Sequence, residues 1–182
     1  MEFERLSIPE VMLFKPKVCH DDRGFFFESF RLGALREATG FSLNFVQDNH
    51  SQSVRGVLRG LHYQLPPHAQ GKLVSVTRGE AFDVAVDIRK SSPTFGRWVG
   101  AILSDQNHHQ LWIPPGFAHG FISLSDCTDV LYKMTDVYDP ASERSIRFDD
   151  ATLKIDWRFD GAPILAPKDL VAPPFKEAEY FA

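Results

Sequence analysis

The polar residues of this chain are concentrated. The densest run is Gln47-Asp48-Asn49-His50-Ser51, followed by Arg59-Gly60-Leu61-His62-Tyr63-Gln64, then Lys72, then Pro114-Pro115-Gly116-Phe117-Ala118-His119-Gly120. An imidazole takes up and gives back protons near neutral pH. A guanidinium grips phosphate in a fork, and an ammonium can stand beside a developing negative charge. Singly, each residue also has a plainer reading: His62 as a satisfied structural histidine, Arg59 as a surface ion-pairing residue, Lys72 as a lysine with no chemical part. Tyr132 shares strand parity with Val130 and Met134, which reads as core packing. His108-His109 reads as a solvated turn and Asp21-Asp22-Arg23-Gly24 as a turn.

These residues need a scaffold. Residues 73–77, 81–88, 98–103, 110–113, 120–124 and 130–135 are short β-type runs bounded by Gly, Pro, Asn or Asp. In 81–88, Phe82, Val84, Val86 and Ile88 share one face and Ala81, Asp83, Ala85 and Asp87 the other, and Phe82 is expected to fill the barrel core. One stretch, 31–39, has helical spacing, with Gly40 as its stop signal. Such runs predict an antiparallel sandwich or barrel whose inward polar side chains line a ligand site. Residues 162–174 are Pro-rich and irregular, and read as a tail packed over the barrel. There is no βαβ rhythm, no GxGxxG and no GxxxxGK[ST], so a Rossmann-type nucleotide site is not expected.

Composition excludes further classes. Among 182 residues there are 16 Phe, 12 Gly and 12 Pro, which suits a turn-rich β globule of one domain. The net charge of −4 lacks the basic footprint of a nucleic-acid binder. No run of apolar residues is long enough for a membrane helix. Cys19 and Cys127 make no disulfide framework and no CxxC. The first residues, Met-Glu-Phe-Glu-Arg, contain no apolar signal segment, so a soluble cytoplasmic protein is expected.

Pro114-x-Gly116-x-x-His119 resembles the second signature of the cupin superfamily, whose barrels often hold a metal. Where the first cupin signature has His-x-His and then Glu, this chain has His62-Tyr63-Gln64 and then Lys72, with Gly79 seven residues on. An ammonium in a ligand set repels a cation, so no metal is expected. The resemblance narrows through Asp22-Arg23-Gly24 with Glu28, Gln47 to Ser51, Arg59 to Gln64, Gly71-Lys72-Leu73, Ser92-Pro93-Thr94-Phe95-Gly96, Gly116 to Phe121, Tyr132-Lys133 and Lys168-Asp169, in that order. The chain resembles the dTDP-4-dehydrorhamnose 3,5-epimerase family over nearly its whole length.

That resemblance implies a double-stranded β-helix of the cupin or jelly-roll type, spanning 1–182. It implies a homodimer that exchanges N-terminal strands, and a cofactor-free inversion of two carbons flanking a ketone in a dTDP-sugar. By resemblance, His62 is the base, Asp169 its partner, Tyr132 the proton donor and Lys72 the enolate's counter-charge. Arg59, Lys168 and Arg23 would hold the diphosphate. Tyr138 would stack on thymine, with Phe26 of a neighbouring subunit on the other side. Gln47, Asn49, Glu28, His119 and Glu143 match further substrate-contacting positions. Asp83 reads either as an inward residue near Lys72 or as a paired structural carboxylate. The family's Ser before x-Lys-Asp is Ala166 here. A mono-epimerase, a metal-dependent cupin and a non-catalytic nucleotide-sugar binder are the alternatives.

Overall fold

The computed structural model describes residues 2–42 and 44–182. Its strands are β1 (Glu2–Arg5), β2 (Met12–Lys15), β3 (Cys19–Asp21), β4 (Gly24–Phe26), β5 (Gln47–Ser53), β6 (Leu58–Gln64), β7 (Lys72–Arg78), β8 (Glu80–Asp87), β9 (Trp98–Ser104), β10 (Gln110–Ile113), β11 (Phe117–Ser123), β12 (Thr128–Met134) and β13 (Glu143–Ser145). Helix α1 is Leu32–Thr39 and α2 is Pro167–Leu170. One sheet runs β1-β2-β10-β7-β12-β5 and the other β13-β6-β11-β8-β9, while β3 and β4 form a separate hairpin. The pairings within these sheets are antiparallel. The architecture is the expected cupin-type barrel.

Alternation explains where each strand lies. Leu13, Val74, Val76, Leu111, Ile113, Phe117, Phe121 and Val130 meet between the sheets. Their neighbours Met12, Phe14, Leu73 and Trp112 point out of the six-stranded sheet, where Leu35 and Ala38 of α1 cover them. Gly40 ends α1 at φ 75°, a left-handed turn, and donates its N–H to Arg36 O.

The five-stranded sheet is also covered on both faces, and this corrects one expectation. Phe82 does not fill the barrel. With Val84, Val86 and Ile88 it faces outward, against Ile146, Leu153 and Phe175 of the C-terminal segment. The tail is thus a second core layer. It also contains α2 and a 3-10 turn at Phe175–Glu177, within and beyond the stretch expected to be irregular. The seven-residue β5 was not anticipated, because Gln-Asp-Asn-His-Ser-Gln-Ser has no apolar face to betray it. His108 is not simply solvated: its ring lies 4.8 Å from Phe25 and 4.7 Å from Phe27, bracing the β3–β4 arm.

One irregularity sets the site. In β11, Phe121 and His119 are two residues apart, but their β6 partners Arg59 and His62 are three apart. The extra residue is a β-bulge. On a regular strand, Arg59 and His62 would point to opposite faces. With the bulge, both line the cavity, while Leu58, Leu61 and Tyr63 pack outward. Gly60 sits here at φ 133°, against Gly120. A Cβ on Gly60 would lie 2.5 Å from Gly120 Cα and 2.8 Å from His119 O, both backbone atoms that cannot swing aside. Gly60→Ala should therefore cost roughly 3 kcal/mol, lowering Tm by about 6–12 °C. A calorimetric Tm equal to that of the unmodified protein would contradict the strand contact.

Candidate active site

A cavity of about 430 Å³ opens between the two sheets. His62 enters it from β6 of the five-stranded sheet and Tyr132 from β12 of the six-stranded sheet. Lys72, at the start of β7, and His119 of β11 also line it. The C-terminal segment closes one side with Ile164, Leu165, Ala166, Lys168 and Asp169. That segment is stitched to the start of β6 and the turn before it by Leu58 N–H to Ile164 O at 3.0 Å and Ile164 N–H to Gly56 O at 2.8 Å.

His62 Nε2 lies 2.6 Å from Asp169 Oδ1, and the Asp169 side chain is almost wholly buried. An ionised carboxylate only accepts, so the shared proton sits on Nε2 and Nδ1 keeps a lone pair. Asp169 reaches this position from α2, which Pro167 begins with its fixed φ. Ala166 gives this helix no side-chain cap; its carbonyl instead accepts from Asp169 N–H at 2.9 Å. The missing hydroxyl therefore leaves the dyad in place.

Tyr132 Oη meets Ser51 Oγ at 2.6 Å. Burial pushes the phenol above its ordinary pKa. Ser51 received no role in the sequence reading. Its signal was position alone: two residues from Asn49 on one strand face, with Asn49 directly opposite Tyr132.

Lys72 is 8% exposed and donates from Nζ to His62 O at 3.2 Å. Burial lowers its pKa to about 8, against the opposing pull of Asp83 and Glu143. His119 Nε2 is 3.0 Å from Asp83 Oδ2, and burial pushes this imidazole below its ordinary range. Asp83 is wholly buried and pairs with His119.

At the mouth, Glu143 accepts from Lys168 Nζ at 2.7 Å and from Tyr138 Oη at 2.9 Å. Burial alone would raise Glu143, but these two donors hold it below the usual carboxylate range. Gln47 stands behind this rim. Its amide donates to Asn49 Oδ1 at 2.9 Å, and its carbonyl accepts Tyr138 N–H at 2.8 Å. Gln64 occupies the place of a cupin metal ligand, yet it braces the Tyr138 loop through His68 O, Val137 O and Asp139 N–H. Arg59 lines the cavity and is tethered to Ser53 Oγ at 3.1 Å.

Arg23, Phe26 and Glu28 do not line this cavity. Arg23 pairs with Asp21 and Glu28 with Arg31, and Phe26 is 75% exposed on the arm.

The donor set does not suit a metal. Among the described residues no group of three or more His, Cys, Asp or Glu could hold one. His62 Nε2 is engaged with Asp169, and Lys72 brings an ammonium into the cavity.

The family model for dTDP-4-dehydrorhamnose 3,5-epimerase matches residues 5–177. A Pseudomonas aeruginosa protein called dTDP-4-dehydrorhamnose 3,5-epimerase is 57% identical over 181 residues, covering 100% of this chain and 99% of its own. The dTDP-6-deoxy-D-glucose-3,5-epimerase of Legionella pneumophila, solved with dTDP-4-keto-L-rhamnose, is 52% identical at a TM-score of 0.93, covering 97% of this chain and 93% of its own. A 3'-monoepimerase from Streptomyces bikiniensis, solved with dTDP-quinovose, is 36% identical at a TM-score of 0.87, covering 93% of this chain and 85% of its own. Matched along almost its full length in both sequence and backbone, the chain belongs to the dTDP-4-dehydrorhamnose 3,5-epimerase family.

Proposed function

We propose that this protein converts dTDP-4-dehydro-6-deoxy-D-glucose to dTDP-4-dehydro-L-rhamnose by inverting carbons 3 and 5, a step of dTDP-L-rhamnose synthesis, without a cofactor. The observation that carries this reading is the opposition of two proton-transfer groups. His62, backed by Asp169, and Tyr132, backed by Ser51, line one cavity from two different sheets. Inversion at carbon requires removal of a proton on one face and delivery on the other.

The ketone at carbon 4 acidifies the protons on both neighbours. His62 Nδ1 takes one of them, forming imidazolium, and the C–H electron pair moves into the enolate. Asp169 stabilises the new positive charge. The Lys72 ammonium balances the enolate oxygen. Tyr132 then delivers its phenol proton to the opposite face, leaving a phenolate. Ser51 suits both states, because a hydroxyl can accept from the phenol or donate to the phenolate. Proton return from imidazolium and to phenolate restores the enzyme.

The rim takes the nucleotide. Arg59 and Lys168 hold the diphosphate, and Tyr138 offers a flat ring to thymine. Gln47, Asn49, His119 and Glu143 complete the contacts. The β3–β4 arm supports the homodimer reading: Phe25 and Phe26 are 59% and 75% exposed, with the Arg23 side chain beside them. On a second copy, this arm would bring Arg23, Phe26 and Glu28 to a cavity that lacks them.

In deuterated water, NMR should find label at both carbon 3 and carbon 5. Label at one carbon alone would make this a mono-epimerase. His62→Ala should abolish exchange at both carbons while dTDP affinity stays within about threefold, and Tyr132→Phe should lower kcat far more than it weakens binding. Equal exchange in wild type and His62→Ala would sink the enzyme reading in favour of a nucleotide-sugar binder.

Lys72 generates a prediction of opposite signs. A pKa lowered from 10.5 to about 8 means the buried ammonium costs on the order of 3 kcal/mol at pH 7. Lys72→Met should therefore raise stability by roughly 1–3 kcal/mol at pH 7 while eliminating turnover. Between pH 8 and 10.5 the unfolded chain binds more protons at this lysine than the folded one, so wild-type stability rises with pH. The stability advantage of the Met variant should shrink over that window. Denaturant melts at pH 7 and pH 10 check the sign.

A further inference from the structure

Two carboxylates on one face of β8 are wholly buried, and they are treated differently. Asp87 is surrounded by donors: Arg89 Nη2 at 2.7 Å, Arg89 Nε at 2.9 Å, and Ser92 Oγ and Thr94 Oγ1 at 2.6 Å each. Its charge is answered by an arginine two residues away. Asp83, two strand repeats earlier on that face, has no such arginine among the described residues. Its hydrogen bonds run to His119 Nε2, at 3.0 and 3.1 Å. The flanking inward residues, Ala81 and Ala85, are small and apolar. A buried carboxylate held by one ring N–H is a poor way to stabilise a fold.

The groups facing Asp83 belong to the cavity. His119 comes from β11, Lys72 from β7 and Tyr132 from β12, and each senses the Asp83 charge. From β9 the paired residue is the uncharged Ala101. His62, opposite His119 on β6, bears on His119, while Glu143 and Lys168 bear on Lys72.

We propose that Asp83 is a positioning residue for the reaction: it holds His119 in the tautomer whose Nδ1 accepts from a sugar hydroxyl, and it keeps the Lys72 ammonium charged beside the enolate oxygen. The sugar and the enolate in this statement rest on the epimerase reading above. The tautomer follows from chemistry. His119 is deeply buried and its charged form is disfavoured, so it carries one ring proton. Asp83 only accepts, which assigns that proton to Nε2. Nδ1 is then an acceptor in a wall of the cavity, and a ligand without a hydroxyl there leaves it unpaired. For Lys72, burial is the larger effect and lowers the pKa to about 8; Asp83 is the first of the charges that oppose it.

The test uses the intact protein with Asp83→Asn, which keeps size and removes charge, and Asp83→Glu, which keeps charge. In free wild-type protein, 15N NMR of the imidazoles should show His119 neutral at pH 7 with its proton on Nε2. In Asp83→Asn, kcat should fall by about 10²-fold, and the alkaline limb of its pH profile should move about one pH unit lower. In Asp83→Glu the limb should stay where wild type has it. A wild-type proton on Nδ1 would overturn the proposal. So would an Asp83→Asn enzyme that retains the wild-type alkaline limb, whatever its kcat, because a merely structural role predicts that result. If Asp83→Asn does not fold, the wild-type tautomer and the Asp83→Glu limb still decide. If wild type proves to have no epimerase activity, the function falls, while the His119 spectrum and a direct 13C titration of Lys72 still test the two pairings.

Discussion

The contact on which the site depends is backbone against backbone: Gly60 of β6 lying on Gly120 of β11. Side chains alternate along a strand, so adding one residue exchanges its faces. The bulge at Gly60 makes that exchange between Arg59 and His62. Below it, Leu58 belongs outside and Arg59 inside; above it, Leu61 belongs outside and His62 inside. The aliphatic layer beneath the tail and the cavity wall therefore share one register. Neither could shift without spoiling the other, and only two residues without Cβ atoms allow the strands so close.

The barrel carries a gradient. One part of its interior is aliphatic, with Ile8, Val11, Leu13, Val76 and Leu111. The other part buries Lys72, Asp83, His119 and Asp169. Charges out of water are costly unless partnered, and each is given only part of what it needs. Lys72 has a carbonyl and distant carboxylates; Asp83 has one imidazole. The incompleteness suits the proposed chemistry. A fully neutralised lysine has little left to offer an enolate, and a stabilised cavity would bind the ground state as well as the transition state. The Asp87–Arg89 cluster shows how this same strand can surround a buried carboxylate with donors.

The sequence made the middle of the barrel legible. Strands β7 to β12 are short, mostly apolar runs between turn residues, and α1 has both its spacing and its glycine stop. Motif order supplied the site residues, since nothing local links His62 to Asp169, 107 positions later. What stayed hidden has physical causes. β5 has polar residues on both faces, one toward the cavity and one toward solvent, so no hydrophobic period exists to read. Phe82 belongs to the other face because, although large residues usually point between sheets, here a tail with its own Leu153 and Phe175 makes the outer face a second core. Strand β6 was not among the expected runs, so its bulge, marked only by Gly60, went unread. His108 found Phe25 and Phe27 across some eighty residues, a distance over which spacing says nothing.

The C-terminal segment joins stability to chemistry. Its apolar residues cover β6 and β8, and the turn between them delivers Lys168 and Asp169 to the cavity. A four-residue helix without a side-chain cap would not persist alone. It is held by its neighbours: Ile164 hydrogen-bonded to Gly56 and Leu58, Arg147 N–H to Pro173 O, and Asp150 accepting the Phe175 N–H. This is why alanine at position 166 is tolerated. A capping hydroxyl is worth about 1 kcal/mol to an exposed helix end, but here the flanking chain already fixes the turn. It follows that His62 acquires its partner Asp169 only when the outer core layer has closed. Opening that layer would part Asp169 from His62 and expose Phe82, so the outer core and the pair are lost together.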